Sequence, residues 1–454
     1  MKEYRKIVTF SYKKNQYNLY LDKNGKRFFM KINQDGSLSY LTGNELLEVS
    51  KLFVRNSDIL MMHRENNKKV NIVPKIIVGT SSVLLTSSLL ITIFTNFNSN
   101  KLEAKTSSVS IEAKYDDYRN YISSYDDAIK NKDYYYNATF KKLYIYNTDY
   151  IDDVISDKVE LDDIKKIIQN NDNIDDNYKI LLYEYAENVV SNYPNAELRM
   201  LYKNLETIKI NECNKEEMFD YTYNSDCYGF YDKEENEIYV LKDNDYSDGT
   251  WARQVLYHEL SHVLRNCRFN LDDLSIIIES KDETFNNDIA EESLNTLFSL
   301  SLLDYDETNR AYQTQSNYYA VMAECIDYDF TDYVNKPLSN FPEKLNEYNG
   351  DEDGRAEEIL ELIKVQFDAY HSSEIEIDES EFDPIIDYLC EIYFKKYIYD
   401  GISYDDAYNV ASSLEDKICL NVIGDYHVNY SKIYENLDTY LNNINEYSQS
   451  GKTL

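Results

Sequence analysis

Nineteen consecutive residues, Ile76–Phe94, carry no charge, and the uncharged run continues to Asn100. As a helix the nineteen would span roughly 28 Å, about the hydrocarbon thickness of a bilayer. A soluble helix of this composition would have to be apolar and buried on every side. A cleaved signal peptide fits less well, because the segment starts 75 residues in and lacks a small-x-small exit. The run also coincides with a break in charge. Residues 1–75 hold 15 Lys and Arg against 7 Asp and Glu, so with a total of −35 the remainder carries −43. Arg64, Lys68, Lys69 and Lys75 crowd the N-terminal flank, whereas Lys101 and Lys105 are the only cations close after it. The positive-inside rule then puts residues 1–75 in the cytoplasm and 96–454 outside, as in a single-pass protein of the cell membrane.

So acidic a remainder is repelled by nucleic acid, which argues against DNA or RNA as a partner. The excess carboxylates read as a solubility feature, with a basic protein or peptide substrate as the other reading. Six cysteines, all beyond residue 200, form no CxxC pair, so neither a thiolate zinc site nor a redox motif is expected. Disulfides and ordinary buried thiols both stay open, as does the oligomeric state.

Along the chain, Lys6–Tyr12, Tyr17–Leu21 and Arg27–Ile32 read as short strands, with a tight turn at Asp22–Gly25 and a helix over Asn44–Val54. Helices are expected around Leu161–Gln169 and Tyr178–Ser191, a strand at Thr207–Ile210, and a hairpin from Tyr228–Tyr231 to Glu237–Leu241. The motif helix begins near Thr250, a second helix follows from about Asp288, and the chain beyond residue 306 reads as mostly helical. The expected units are a small cytoplasmic module (1–72), a transmembrane helix (73–96), a juxtamembrane helical region (97–195), a catalytic core (196–305) and a helical subdomain (306–454).

The chemistry concentrates in His258-Glu259-Leu260-Ser261-His262. Residues four apart on a helix share one face, so His258 and His262 can aim two imidazoles at one ion. Glu259 sits beside the open position, where it can take a proton from a water at the metal. Zinc suits this arrangement, with three protein ligands and one open place. With only five histidines in the chain, chance gives HExxH in roughly one such sequence in a few hundred. A helix with two surface histidines is the bland alternative. Asp288, Glu291 and Glu292 on the following helix-like segment, and Glu279 or Glu283 before it, can supply a third ligand. The extension HExxHxxGxxH is absent, because Arg265 and Arg268 stand where its Gly and third His belong.

The run from Thr207 to Leu303 resembles the gluzincin-type zincin metallopeptidases, in particular the membrane-tethered ones of Gram-positive bacteria. The pieces that carry the resemblance are Cys227-Tyr-Gly-Phe-Tyr231, Asn236-Glu-Ile-Tyr-Val240, HELSH and Ala290-Glu-Glu-Ser-Leu-Asn295. They cover about a quarter of the chain, and only HELSH is specific. The Glu-Gly-x-Thr pattern common in the family's second helix departs here to Glu291-Glu-Ser-Leu294.

The resemblance implies an α+β fold: a small mixed sheet plus the active helix, followed by a helical subdomain. It implies one zinc held by His258, His262 and Glu291, with Glu292 the nearest alternative, and Glu259 as the catalytic base. It also implies hydrolysis of an extracellular protein or peptide lying along an edge strand, Glu237–Leu241. Tyr312, Tyr318, Tyr319, His371 and His427 are available to stabilise an oxyanion, and none is assigned that role. A membrane-anchored sensor on an inactive zincin scaffold is the rival reading. An intramembrane protease is disfavoured, because Arg253, Arg265, Asn266 and Arg268 flank the motif.

Overall fold

The computed structural model describes residues 5–53 apart from short gaps, the strands at 134–137 and 142–145, and 158–450 with gaps between elements. The chain opens with four strands, β1 (Arg5–Tyr12), β2 (Asn15–Leu21), β3 (Arg27–Ile32) and β4 (Leu38–Tyr40). They form an antiparallel meander in sequential order. Val8, Phe10 and Tyr12 alternate inward along β1, as a half-buried strand requires. Lys13 and Lys14 both take left-handed backbone conformations, which gives the two-residue connection a twist that matches the strands. Phe10 packs face to edge against Phe29 and Phe53, which stack on each other, and the three close the sheet's inner side. The turn expected at 22–25 lies outside the described residues.

Strands β5 (Tyr134–Asn137) and β6 (Lys142–Ile145) precede helices α1 (Leu161–Asn170), α2 (Asp176–Asn192) and α3 (Arg199–Leu205). Next come β7 (Lys209–Cys213), α4 (Lys215–Thr222), β8 (Gly229–Asp232), β9 (Glu237–Leu241) and α5 (Thr250–Arg265). A hairpin of β10 (Asn266–Leu271) and β11 (Leu274–Glu279) leads to α6 (Asp288–Ser301). The remainder is helical: α7 (Gln313–Cys325), α8 (Phe330–Asn335), α9 (Asn340–Asn349), α10 (Arg355–Tyr370), α11 (Asp383–Tyr397), α12 (Tyr404–Cys419) and α13 (Ser431–Ser450).

Two further sheets frame α5. In one, β9 is central, parallel to β7 and antiparallel to β8. In the other, β11 pairs antiparallel with β10 and parallel with β6, whose far edge takes β5. The region 97–195, expected to be helical, therefore also contributes two strands. Leu256, Tyr257, Leu260, Val263 and Leu264 bury one face of α5. Asn204, itself fully buried, ties the end of that helix by donating to the carbonyls of Val263 (3.0 Å) and Asn266 and accepting from Arg268 N (2.9 Å). All six cysteines are free thiols.

One expectation is corrected. Among the described residues no helix is long and apolar enough to cross a membrane, so the described fold is α+β and the transmembrane helix expected at 73–96 is not supported. That segment lies outside the described residues. The N-terminal sheet, moreover, packs on the C-terminal helices. Ser11 and Glu376 exchange both backbone hydrogen bonds, at 2.8 and 3.1 Å. Val8, Phe10 and Phe29 belong to the same continuous core as Ile359, Leu360 and Ile363 of α10. A charge-free run is necessary for a crossing but does not establish one, and here the chain on its two sides folds together.

Asn204→Ala should lower stability by about 2 kcal/mol, because it leaves two buried carbonyls without donors. Urea denaturation followed by circular dichroism measures this.

Candidate metal centre

HELSH sits in the last half of α5, with His258 and His262 one turn apart on a partly open face. Their rings lie 5.0 Å apart, edge to face. Between them Ser261 faces the core, where its hydroxyl donates to Tyr257 O (2.7 Å) and meets the Tyr185 hydroxyl (3.2 Å). Asn266 donates to His262 O at 2.9 Å. The two histidines are thus presented by a helix whose other side is fastened.

Helix α6 supplies the carboxylate. Asn287 caps it, accepting from Ala290 N at 3.0 Å. Glu292 places Oε2 at 3.0 Å from His258 Nε2 and 3.5 Å from His262 Nε2. One ligand atom from each of the three residues lies within 4.8 Å of the others. Ligand atoms about 2.0–2.1 Å from a tetrahedral zinc are about 3.3 Å from one another, so this donor set fits the ion.

The carboxylate that the structure brings to both imidazoles is Glu292, whereas the resemblance implied Glu291. Glu291 reaches only the other nitrogen of His262, with Oε1 4.0 Å from Nδ1, and its side chain is 37% exposed against 21% for Glu292. The reason is helical phase. Glu292, Asn295 and Thr296 (i, i+3, i+4) share the face that meets α5, and Glu291 lies about 100° away around the helix.

That face grips His258 twice more. Asn295 Nδ2 donates to His258 O at 2.8 Å, and Thr296 Oγ1 lies 3.3 Å from His258 Nδ1. Tyr333 on α8 donates to Asn295 Oδ1 at 3.0 Å, and the Arg265 guanidinium lies 4.1 Å over the Tyr333 ring. Arg265, expected to be a flanking charge, is 1% exposed and sits beneath the site. Thr296, Asn295 and Tyr333 escaped the sequence reading. Four-residue spacing from Glu292 could have found Thr296 once the ligand was fixed, but nothing local points to the other two. Tyr318 and Tyr319 are fully buried core residues, while Tyr312, His371 and His427 lie outside the described residues.

Glu259 turns towards β8, where it accepts a hydrogen bond from the Tyr231 backbone. Burial pushes its carboxyl up to about 7, with His258 pulling down, Glu292 pushing up and the Tyr231 amide pulling down. Burial also works to raise Glu292, but the two imidazoles overcome it and hold that carboxyl well below the usual range. Burial opposes charge on His262, and Glu292 outweighs it, so the imidazole is raised. Strand β8 can pass so close only because residue 229 is glycine. A Cβ there would lie 2.7 Å from Val255 Cγ1 and 3.2 Å from Tyr239 O.

Comparison with family models, with curated proteins and with solved structures finds no match.

Glu292→Gln should weaken zinc binding by more than about 100-fold, whereas Glu291→Gln and Thr296→Val, behind the ligands, should each cost about tenfold or less. Competition with a chromophoric chelator measures all three, and equal losses for Glu291→Gln and Glu292→Gln would contradict the assignment.

Proposed function

We propose that this chain is a zinc-dependent metallopeptidase of the gluzincin type. In this reading His258, His262 and Glu292 hold the ion, and Glu259 is the general base. One observation carries the proposal: a buried carboxylate stands one residue from a ligand and beside the exposed edge of a sheet. That combination supplies a proton acceptor and a place for an extended peptide at the same point.

The edge is β8 and not β9, which is the central strand. Leu241 N donates to Tyr228 O at 3.2 Å. By the alternation of an antiparallel pair, Phe230 then turns its polar groups to β9, and Gly229 and Tyr231 turn theirs outward. The Tyr231 amide serves Glu259 and the Gly229 carbonyl accepts from Cys227 Sγ at 3.1 Å, so an extended substrate would meet β8 at the Gly229 amide.

Zinc, when bound, would act as a Lewis acid that polarises the scissile carbonyl and acidifies the attacking water. Glu259 takes a proton from that water as its oxygen bonds to the carbonyl carbon. Glu259 then returns the proton to the amide nitrogen as the carbon–nitrogen bond breaks, giving a carboxylate and an amine. Burial raises the Glu259 carboxyl when no ion is bound, which favours a carboxyl that can hold and then return a proton. Thr296 and Asn295 keep the His258 ring and backbone in place throughout.

Glu259→Gln should keep zinc within about twofold and lose about 10²–10⁴-fold in cleavage. The measurement uses the zinc-loaded full chain with a mixed library of unstructured peptides, read by mass spectrometry. Stoichiometric zinc with no cleavage by the parent protein would instead favour a binding role for the scaffold.

A further inference from the structure

The basic N-terminal sheet meets the acidic body through a seam of complementary charge. Arg5 Nη1 pairs with Glu358 at 2.7 Å, Lys6 Nζ lies 3.6 Å from Glu381, and Thr9 N donates to Glu381 Oε2 at 3.2 Å. At its centre the guanidinium of Arg27 on β3 engages Glu361 of α10 through Nε and Nη2, and Arg27 Nη1 donates to Phe53 O at 3.4 Å. Glu361 opens into a buried cluster. Lys364 and Asp368 are buried beside it, and Lys364 Nζ lies 2.7 Å from Asp288 and 3.6 Å from Asp368.

Asp288 is the first residue of α6. The capping residue before it, Asn287, also donates to Leu360 O on α10 at 2.9 Å. The start of α6 is thus fastened to α10 at Leu360 and Lys364, the residues on that helix that flank Arg27's partner. Glu292 follows one turn later on α6. Among the described residues, Asp288, Glu361 and Asp368 face Arg27 and Lys364, and withdrawing Arg27 removes the cation paired with Glu361. Buried charge of that kind relaxes by shifting its partners, and α6 is joined to the cluster through Asp288.

We propose that Arg27 is a positioning residue of the metal centre: seated against α10, it holds the start of α6 and so Glu292. This requires residues 5–53 and the metal centre to lie on the same side of any membrane. The first clause rests on the zinc reading above, and the second does not. The charge break in the sequence is then a docking interface within one chain.

Two measurements on the full chain test this. Arg27→Met should weaken zinc binding about tenfold, the lower end of the range for partners behind a metal's ligands. The measurement is made well below the melting midpoint, so a loss of stability alone does not move it. Arg27→Met with Glu361→Gln removes both charges and should return zinc affinity to within about twofold of the parent. Unchanged zinc affinity in folded Arg27→Met overturns the positioning role while leaving the metal site intact, whereas a parent that binds no zinc overturns the metal reading and that role together. The second measurement is independent of zinc. Ser11→Cys with Glu376→Cys should form a disulfide under mild oxidation, because a hydrogen-bonded antiparallel pair sets its Cα atoms about 5.5 Å apart. Peptide mapping that finds no 11–376 link overturns the docking and the shared side.

Discussion

Everything around the centre depends on one contact, the insertion of Glu292 between His258 and His262 where α6 crosses α5. A carboxylate so enclosed is costly unless positive charge answers it. Without a metal, the two imidazoles answer it: Glu292 raises the pKa of His262 against burial, and the imidazoles lower that of Glu292. A divalent ion would take over the same role and release the proton. If the site holds a metal, cation and proton would compete for one carboxylate, as is usual where ligands must be deprotonated to bind metal.

Precision at that contact comes from groups that carry no chemistry. Asn295 and Thr296 take the backbone and the far nitrogen of His258, and Tyr333 holds Asn295 from a third helix. Asn204 and Asn266 secure the last turn of α5, and Ser261 fastens its inner side to Tyr185. Gly229 lets the edge strand approach until the Tyr231 amide reaches Glu259. His258, Glu259 and His262 lie on α5 and Glu292 on α6, and each surrounding element fixes a different aspect of that crossing.

The same economy explains the uneven charge of the chain. The cations gathered before residue 75 resemble the flank of a membrane helix, yet Arg5, Lys6 and Arg27 pair with Glu358, Glu381 and Glu361 at the other end of the sequence. Charge patterning in one dimension cannot distinguish a boundary from a partnership, because both put unlike compositions side by side.

What the sequence by itself determined is local. The HELSH helix, the strands flanking it, and the two histidines with their neighbouring glutamate follow from residue spacing, since 3.6 residues per turn puts i and i+4 together whatever surrounds them. Most of the N-terminal strands and helices α1 and α2 were legible for the same reason. The tertiary structure decided what depends on distant partners. The β10–β11 hairpin went unread, although Leu-Ser-Ile-Ile-Ile is a β-rich run, because its partner β6 lies some 130 residues earlier. Glu292 prevailed over Glu291 because the rotation of α6 is set by its packing on α5. The placement of the N-terminal sheet on α10 was likewise beyond the sequence, because long-range contacts depend on complementary surfaces that no local period encodes.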